Sequence, residues 1–336
     1  MNTTTKRKLL TVLIGTLSFL VTGLVAGIAI GVPVLNAVVL ASWLGFGVSL
    51  FEVLFIQAPA GKRFRRLSPI LHSLYYSGLV LLLYVTGVAF IIVFVSPPEL
   101  AQAILSRVPV TLPVVFLISL TIILILRVVS FIGAKNLLYL LTGRYQRPTE
   151  ENHAFLFIDL KNSTTISEAL GAVRAREFIS EFIFDISKAI TDNRGDVYKF
   201  MGDGIIAVWR HDDPSKITDT LYAVTEAHDV LVMRAGEYET KFGFAAEFRA
   251  GLHAGSVIAS EQGDLRRSIE FNGDHINIAA RLEQKAKDHD LPLVFSDSVA
   301  NELSATPFEP VFIEEEMVKG YSQPVKLYKL KQLSGW

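Results

Sequence analysis

The sequence predicts an α+β domain preceded by a four-helix transmembrane domain. Three observations lead there. Four long apolar runs crowd into the first 135 or so positions. Charge changes sign along the chain: residues 1–150 carry 12 Lys/Arg against 3 Asp/Glu, and residues 151–336 carry 20 against 30. Beyond residue 150, short apolar strands and amphipathic helices follow one another in the order β-α-β-β-α-β.

Leu9–Ile30 runs without a charge for about the 20 residues needed to cross hydrocarbon. Val34–Ile56 follows, broken only by Glu52, then Ser73–Val95, then Val110–Gly133, interrupted by Arg127. The first run is too long for the apolar core of a signal peptide, and a second begins almost at once. Lys6, Arg7 and Lys8 precede the first run, Lys62, Arg63, Arg65 and Arg66 lie between the second and third, and Lys135, Arg144 and Arg147 follow the fourth. The opposite side has a few residues near Pro33 and a loop, Ser96–Pro109, holding only Glu99 and Arg107. Positive charge on one side predicts both termini and the acidic domain in the cytoplasm, at a cell (inner) membrane crossed several times. Glu52 and Arg127 both fall near the cytoplasmic ends of their runs. Snorkelling to the interface and a Glu52–Arg127 pair that fixes helix packing are both open readings.

The domain boundaries expected are 1–133 for the spans, 134–150 for a helical linker and 151–336 for the second domain. In the linker Leu137, Leu138, Leu140 and Leu141 share an apolar face, and Pro148 is expected to stop the helix. The chain has no cysteine, which excludes disulfides, thiolate metal sites and a cysteine nucleophile. The acidic balance of the second half argues against a nucleic-acid partner, since duplex affinity rests on cations neutralising phosphates.

In that half Ala154–Leu160 reads as a strand, 163–193 as a helix, and Asp196–Phe200 with Ile205–Trp209 as a hairpin around Met201-Gly202-Asp203-Gly204. A helix over 213–242, strands over 248–259 and 266–271, a helix over 274–287 and short strands near Leu293, Phe312 and Val325–Leu330 complete the pattern. The order is that of a ferredoxin-like sheet, with helices expected on one face. It puts Asp159, at the end of the first strand, beside Asp203, in the hairpin turn. Two carboxylates so placed suit a divalent metal engaged in phosphoryl transfer. Gly202 and Gly204 leave room for a metal–triphosphate to approach the backbone. Ser163 and Thr164 open a helix whose free N–H groups can hold phosphate.

FIDLKNSTT, YKFMGDG and FNGDHINIAARLE, in that order, resemble three consecutive motifs of the class III nucleotidyl cyclases, with weaker support from GLHAG and VKGYSQPVKLY. The likeness covers roughly residues 150–330. It implies the class III cyclase catalytic fold and conversion of ATP to 3′,5′-cyclic AMP and pyrophosphate, with two Mg2+ or Mn2+ ions per site. Asp159 and Asp203 resemble the family's metal-binding aspartates, with the Leu160 carbonyl a further ligand. Asn277 and Arg281 match the pair that orients the ribose and stabilises the charged transition state. Their spacing of four puts them on one helix face. Lys199 falls where the family selects adenine, because an ammonium can donate to adenine N1.

Two positions depart from the family pattern. Glu270 stands where Asp or Thr is usual, with Ser268 on the same side of the strand. Tyr321 stands where relatives often have a phosphate-binding Lys, a role open to Lys319 or Lys326. His253 and His275 lie near motifs and are expected to serve packing or a helix start. In the family the aspartates come from one subunit and the Asn/Arg and base-reading residues from the other. The resemblance therefore implies a homodimer through the catalytic domain, beside a lipid bilayer, with ATP as ligand. The competing readings are a guanylate cyclase, favoured by Glu270, and a catalytically inactive nucleotide-binding membrane regulator. A small transporter lacks support from internal repeats or Gly/Pro-broken helix pairs.

Overall fold

The computed structural model describes residues 12–331 apart from 14–15, 22, 26–27, 29–31, 57–66, 214, 265–266, 305 and 318–323. Two compact units emerge, Met1–Leu141 and Thr142–Trp336, and their boundary falls inside the stretch expected to be a linker.

In the first unit, α1 (Val34–Phe51) runs into one π-helical turn, Glu52–Ile56. It is followed by α2 (Pro69–Phe94), α3 (Pro98–Ile132) and α4 (Ala134–Thr142). Val34–Leu54, Pro69–Phe94 and Pro98–Val129 are each long and apolar enough to cross a membrane. Of the expected first span only parts are described, with Thr16–Val25 a shorter apolar helix. The basic positions 6–8 and 62–66 lie outside the described residues.

The sequence reading is corrected at Ser96–Pro109, which is not a loop beyond Pro98. Helix α3 begins there, with Pro98 in its first turn and Glu99 beside the positive end of the helix dipole, and it continues through Pro109 and Pro113. The hydroxyls of Ser106 and Thr111 bond the carbonyls of Ala103 and Val108 within the same turns.

Glycines let these helices approach closely. A Cβ on Gly47 would stand 2.8 Å from Leu83, and one on Gly87 would stand 2.8 Å from Leu40. Polar bonds join the helices too, from Trp43 Nε1 of α1 to Thr86 Oγ1 of α2 (3.2 Å) and from Tyr84 of α2 to Thr111 of α3 (2.8 Å). Glu52 accepts a bond from the Tyr76 hydroxyl at 2.6 Å, and Arg127 Nε donates to His72 Nδ1 at 3.2 Å. The His72 and Tyr76 rings stack one turn apart on α2, so both ionisable groups of the apolar runs are tied to that helix. Helix α4 ends at Thr142, before Gly143 at φ +65°, and so stops six residues ahead of Pro148. A left-handed residue after the last turn ends the helix without the proline.

The second unit is built on an eight-stranded sheet of order β2-β3-β1-β4-β6-β8-β7, with β5 paired to β4. The strands are β1 (Thr149–Leu160), β2 (Asp196–Met201), β3 (Gly204–Arg210), β4 (Phe248–Gln262), β5 (Ser268–Asn272), β6 (Leu293–Ser296), β7 (Pro310–Met317) and β8 (Pro324–Leu330). The helices are α5 (Ser163–Asp192), α6 (Ser215–Phe242), α7 (Asp274–Asp288) and the short α8 (Asp297–Ala300). Alternation along β1 sends Ala154, Leu156, Ile158 and Leu160 into a core with Phe178, Phe182 and Ile186 of α5 and Leu221 and Val224 of α6. Phe155, pointing the other way, packs with Val208, Val257 and Ala279 of α7. The helices therefore cover both faces, correcting the one-face expectation. Strands buried on both sides, such as β3 with all of Gly204–Trp209 buried, need a cover on each face.

Two devices pin the helices. Asp185 of α5, buried, accepts from the Tyr238 hydroxyl at 2.8 Å and pairs with Arg234, both of α6. Helix α7 lies directly on β4 at Gly251, where a Cβ would stand 2.1 Å from the Glu283 nitrogen and 2.4 Å from the Ala279 oxygen, both of them backbone. Gly251→Ala is expected to force α7 off the sheet at a cost of about 1–3 kcal/mol. Thermal unfolding of the full chain in detergent should show an earlier transition for this variant. An unshifted transition would contradict the close approach.

Candidate active site

The β2–β3 hairpin closes with a two-residue turn, Met201 pairing with Gly204. Gly202 takes φ +67°, the sign that primed hairpin turns require at that position. The last β1–β3 pair is Ile158 with Ile205, which leaves Asp159 opposite Gly204 and next to Asp203. A Cβ on Gly204 would stand 2.8 Å from the Ile158 carbonyl and 3.2 Å from Asp159 Oδ1, so only glycine lets the hairpin close against that carboxylate. Burial, then the neighbouring Asp203 charge, pushes the Asp159 carboxyl above its ordinary range. Leu160 buries its side chain in the core, so only its backbone can face the site.

Asn162, at φ +58°, makes no side-chain cap bond to α5, which begins at Ser163, with Thr164 exposed behind it. Lys161 is held by Asp290 at 3.0 Å and Glu247 at 3.3 Å. Among the described residues no group of three or more His, Asp or Glu is arranged to hold an ion. Asp159 and Asp203 form a two-carboxylate set that needs oxygens from substrate and water to complete a magnesium shell.

A second constellation lies around Glu270 of β5. Lys199 Nζ stands 2.5 Å from Glu270 Oε2, the Tyr198 hydroxyl 2.6 Å from the same oxygen, and Ser268 Oγ 2.9 Å from Oε1. Burial would raise the Glu270 carboxyl, but the bonds from Lys199, Tyr198 and Ser268 outweigh it and hold the group below its usual range. The longer Glu thus reaches the lysine to which the family pattern couples it.

Asn277 and Arg281 occupy α7 one turn apart, opposite the buried Ile278, Ala279 and Leu282. Asn277 is exposed and Arg281 half-buried, and among the described residues no hydrogen bond or ion pair engages either side chain. The charges acting most on Asp159 are those of Asp203, Lys287 and Arg249. The structure thus brings together Asp159 with Asp203 and Lys199 with Glu270 and Ser268. Among the described residues neither Asn277 nor Arg281 of the same chain bonds those carboxylates. The start of α7 is held by a histidine pair. His253 Nε2 and His275 Nδ1 are 2.8 Å apart with stacked rings, and His253 Nδ1 lies 2.7 Å from Ser296 Oγ. Burial, then His275, pushes His253 down to about 3, so it is neutral in this packing role.

Residues 145–332 match the family model of the adenylate and guanylate cyclase catalytic domain. The chain belongs to that family. It is 29% identical over 214 residues to adenylate cyclase 2 of Rhizobium meliloti (strain 1021), covering 62% of this chain and 58% of the relative. It is 26% identical over 183 residues to an adenylate cyclase of Anabaena cylindrica, covering 52% of this chain and 36% of the relative. The alignment thus spans little more than half the length of the first of these and about a third of the second. A solved bacterial light-regulated adenylyl cyclase shares the fold, with TM-score 0.56 and 19% identity over 66% of this chain and 65% of that one.

Around the cyclase-family motifs the structure adds residues that sequence reasoning passed over. Arg249 is the register partner of Asp159 across β1 and β4, and it acts on that carboxylate with Lys287. Glu283 of α7 is pushed up to about 7 by burial and then by Asp159. Strand register would have revealed Arg249, whereas Glu283 and Tyr198 carry no signal outside the assembled fold. Lys326, on β8, is exposed, whereas Lys319 and Tyr321 lie outside the described residues.

Proposed function

We propose that the chain is a membrane-anchored adenylate cyclase converting ATP to 3′,5′-cyclic AMP and pyrophosphate. Family membership supports the reaction type, and the curated relatives it resembles carry the name adenylate cyclase. The observation that carries the choice of ATP is the Lys199–Glu270 pair. Its ammonium can donate to the acceptor N1 of adenine, where guanine presents an N–H donor, and its carboxylate can accept from the adenine amino group.

Asp159 and Asp203 are the residues that would hold divalent cations, with the Leu160 carbonyl, and the chemistry of this donor set fits Mg2+ or Mn2+. When bound, such ions neutralise charge on the triphosphate and make the 3′-hydroxyl a better nucleophile. The chain's own residues do the rest. The amides at the start of α5, at Ser163 and Thr164, and the open backbone at Gly202 receive phosphate oxygens. Asn277 orients the ribose. Arg281 places its fork of donors on the oxygens around the α-phosphorus, where charge grows as the 3′-oxygen bonds to it and the bond to pyrophosphate breaks. Positioning and electrostatics account for the acceleration, and no protein nucleophile is required.

Neither Asn277 nor Arg281 bonds a carboxylate of its own chain among the described residues, and two copies of the chain would complete each site, head to tail, with two equivalent sites per dimer. The three apolar helices anchor this assembly in a bilayer, with the catalytic domain and both termini in the cytoplasm by the distribution of Lys and Arg.

The test is product identification with the purified full chain, given ATP and GTP together with Mg2+ or Mn2+. Cyclic AMP is the expected product. Cyclic GMP in excess would overturn the base assignment, and neither product would overturn the cyclase reading.

A further inference from the structure

Lys199 and Tyr198 are neighbours in one strand, yet both reach the same oxygen of Glu270. A regular strand forbids this, since successive side chains point to opposite faces. The β2–β3 register explains it. Val197 pairs with Ala207 and Lys199 with Ile206, so β2 advances two residues while β3 advances one, and Tyr198 is the extra residue of a bulge. Bulges re-aim side chains in this way. The Tyr198 ring packs edge-on against Phe271, centroids 5.0 Å apart, and its hydroxyl oxygen accepts the Phe271 N–H at 3.3 Å. With that side of the oxygen taken, the hydroxyl proton is directed to Glu270. On the far side of the carboxylate Ser268 supplies the second clamp.

We propose that Tyr198, with Ser268, is a positioning residue that sets base selectivity. It locks Glu270 in one orientation, so that the carboxylate accepts from an exocyclic amine while Lys199 donates to the ring nitrogen beside it. The inference rests on the cyclase reading above and goes beyond it. Glutamate has one more rotatable bond than aspartate, and an untethered carboxylate would sample several orientations at an entropic cost to any base that needed one of them. Tyr198 and Ser268 remove that freedom before the nucleotide arrives. The charge states agree with the geometry. Burial, then Glu270, pushes the Tyr198 hydroxyl up, so it stays a donor, while Glu270 stays ionised.

The experiment compares the full-length wild type with Tyr198→Phe and Ser268→Ala. The first keeps the ring against Phe271 and loses only the hydroxyl. Two readouts are taken, kcat/KM for ATP and for GTP, and displacement of a fluorescent nucleotide by each. In Tyr198→Phe the preference for ATP over GTP is expected to fall about tenfold, chiefly through KM for ATP, with kcat changed less, as for loss of one hydrogen bond to a charged group. Ser268→Ala should shift the ratio the same way by a smaller factor. Because Ser268 is exposed, this variant serves even where Tyr198→Phe does not fold. An unchanged ATP/GTP ratio in a folded Tyr198→Phe protein, or in Ser268→Ala if the first is unfolded, overturns the proposal. If the wild type turns over neither nucleotide but binds ATP in preference, and the variant loses that preference, the positioning role stands while the cyclase reading falls. A wild type that binds both nucleotides equally, or neither, overturns the positioning role as well.

Discussion

Asp203→Ala is expected to lower cyclic-nucleotide formation on the order of a thousandfold while leaving the protein as stable as the wild type or more so. The loss follows from the geometry of the turn. Asp203 is the side chain that the hairpin delivers beside Asp159, and a single carboxylate cannot share the charge of a triphosphate-bound cation pair. The stability arises from the same proximity. Asp159 is raised by burial and by Asp203, so its ionised form costs folding free energy at pH values above its ordinary range. Removing Asp203 lifts the like-charge part of that cost, and alanine fits a turn position whose φ is not positive. Initial rates and thermal unfolding, measured on the same preparation, check both halves. Turnover within a few-fold of wild type would remove the metal assignment. Loss of turnover together with early unfolding would mean that Asp203 is structural.

Mixing Asp159→Ala chains with Arg281→Ala chains should restore activity that neither variant has alone, to about a quarter of wild type if subunits pair at random. Half of the dimers are then mixed. Each mixed dimer has one site built from the intact Asp159 of one chain and the intact Arg281 of the other, and one site lacking both. The expectation comes from α7. Its buried residues Ile278, Ala279 and Leu282 fasten it to the sheet, and its exposed Asn277 and half-buried Arg281 have no hydrogen-bond or ion-pair partner among the described residues. Gel filtration of the mixture before and after assay establishes that the pairing is dimeric. Activity no greater than the sum of the separate variants would mean that each chain builds its own site.

Much of this molecule is local in the sequence. Periodicity placed α5, α7 and the β2–β3 hairpin within a few residues, because a period of 3.6 or 2 is written into any stretch that buries one side. Composition marked the apolar helices for the same reason. The places where local reading failed share a cause. Pro109 read as the end of a loop, yet α3 runs through it and through Pro113, because the apolar stretch on both sides favours one continuous helix. Pro148 read as the helix stop, yet Gly143 acted first. Helices on one face was the expectation, but a sheet buried on both sides drew α7 to the other.

The sequence by itself singled out the candidates for chemistry: the acids Asp159 and Asp203, the α7 pair Asn277 and Arg281, and Lys199 in the hairpin strand. It also determined that an apolar half precedes an acidic one, since charge and hydropathy are properties of the residues alone. Only the tertiary structure decided who meets whom. Tyr198 and Glu270 are 72 positions apart, and their bond exists because one extra residue in β2 turns a tyrosine towards β5. Such a contact depends on register and bulge, which follow from packing over the whole sheet and leave no trace in the order of the residues nearby.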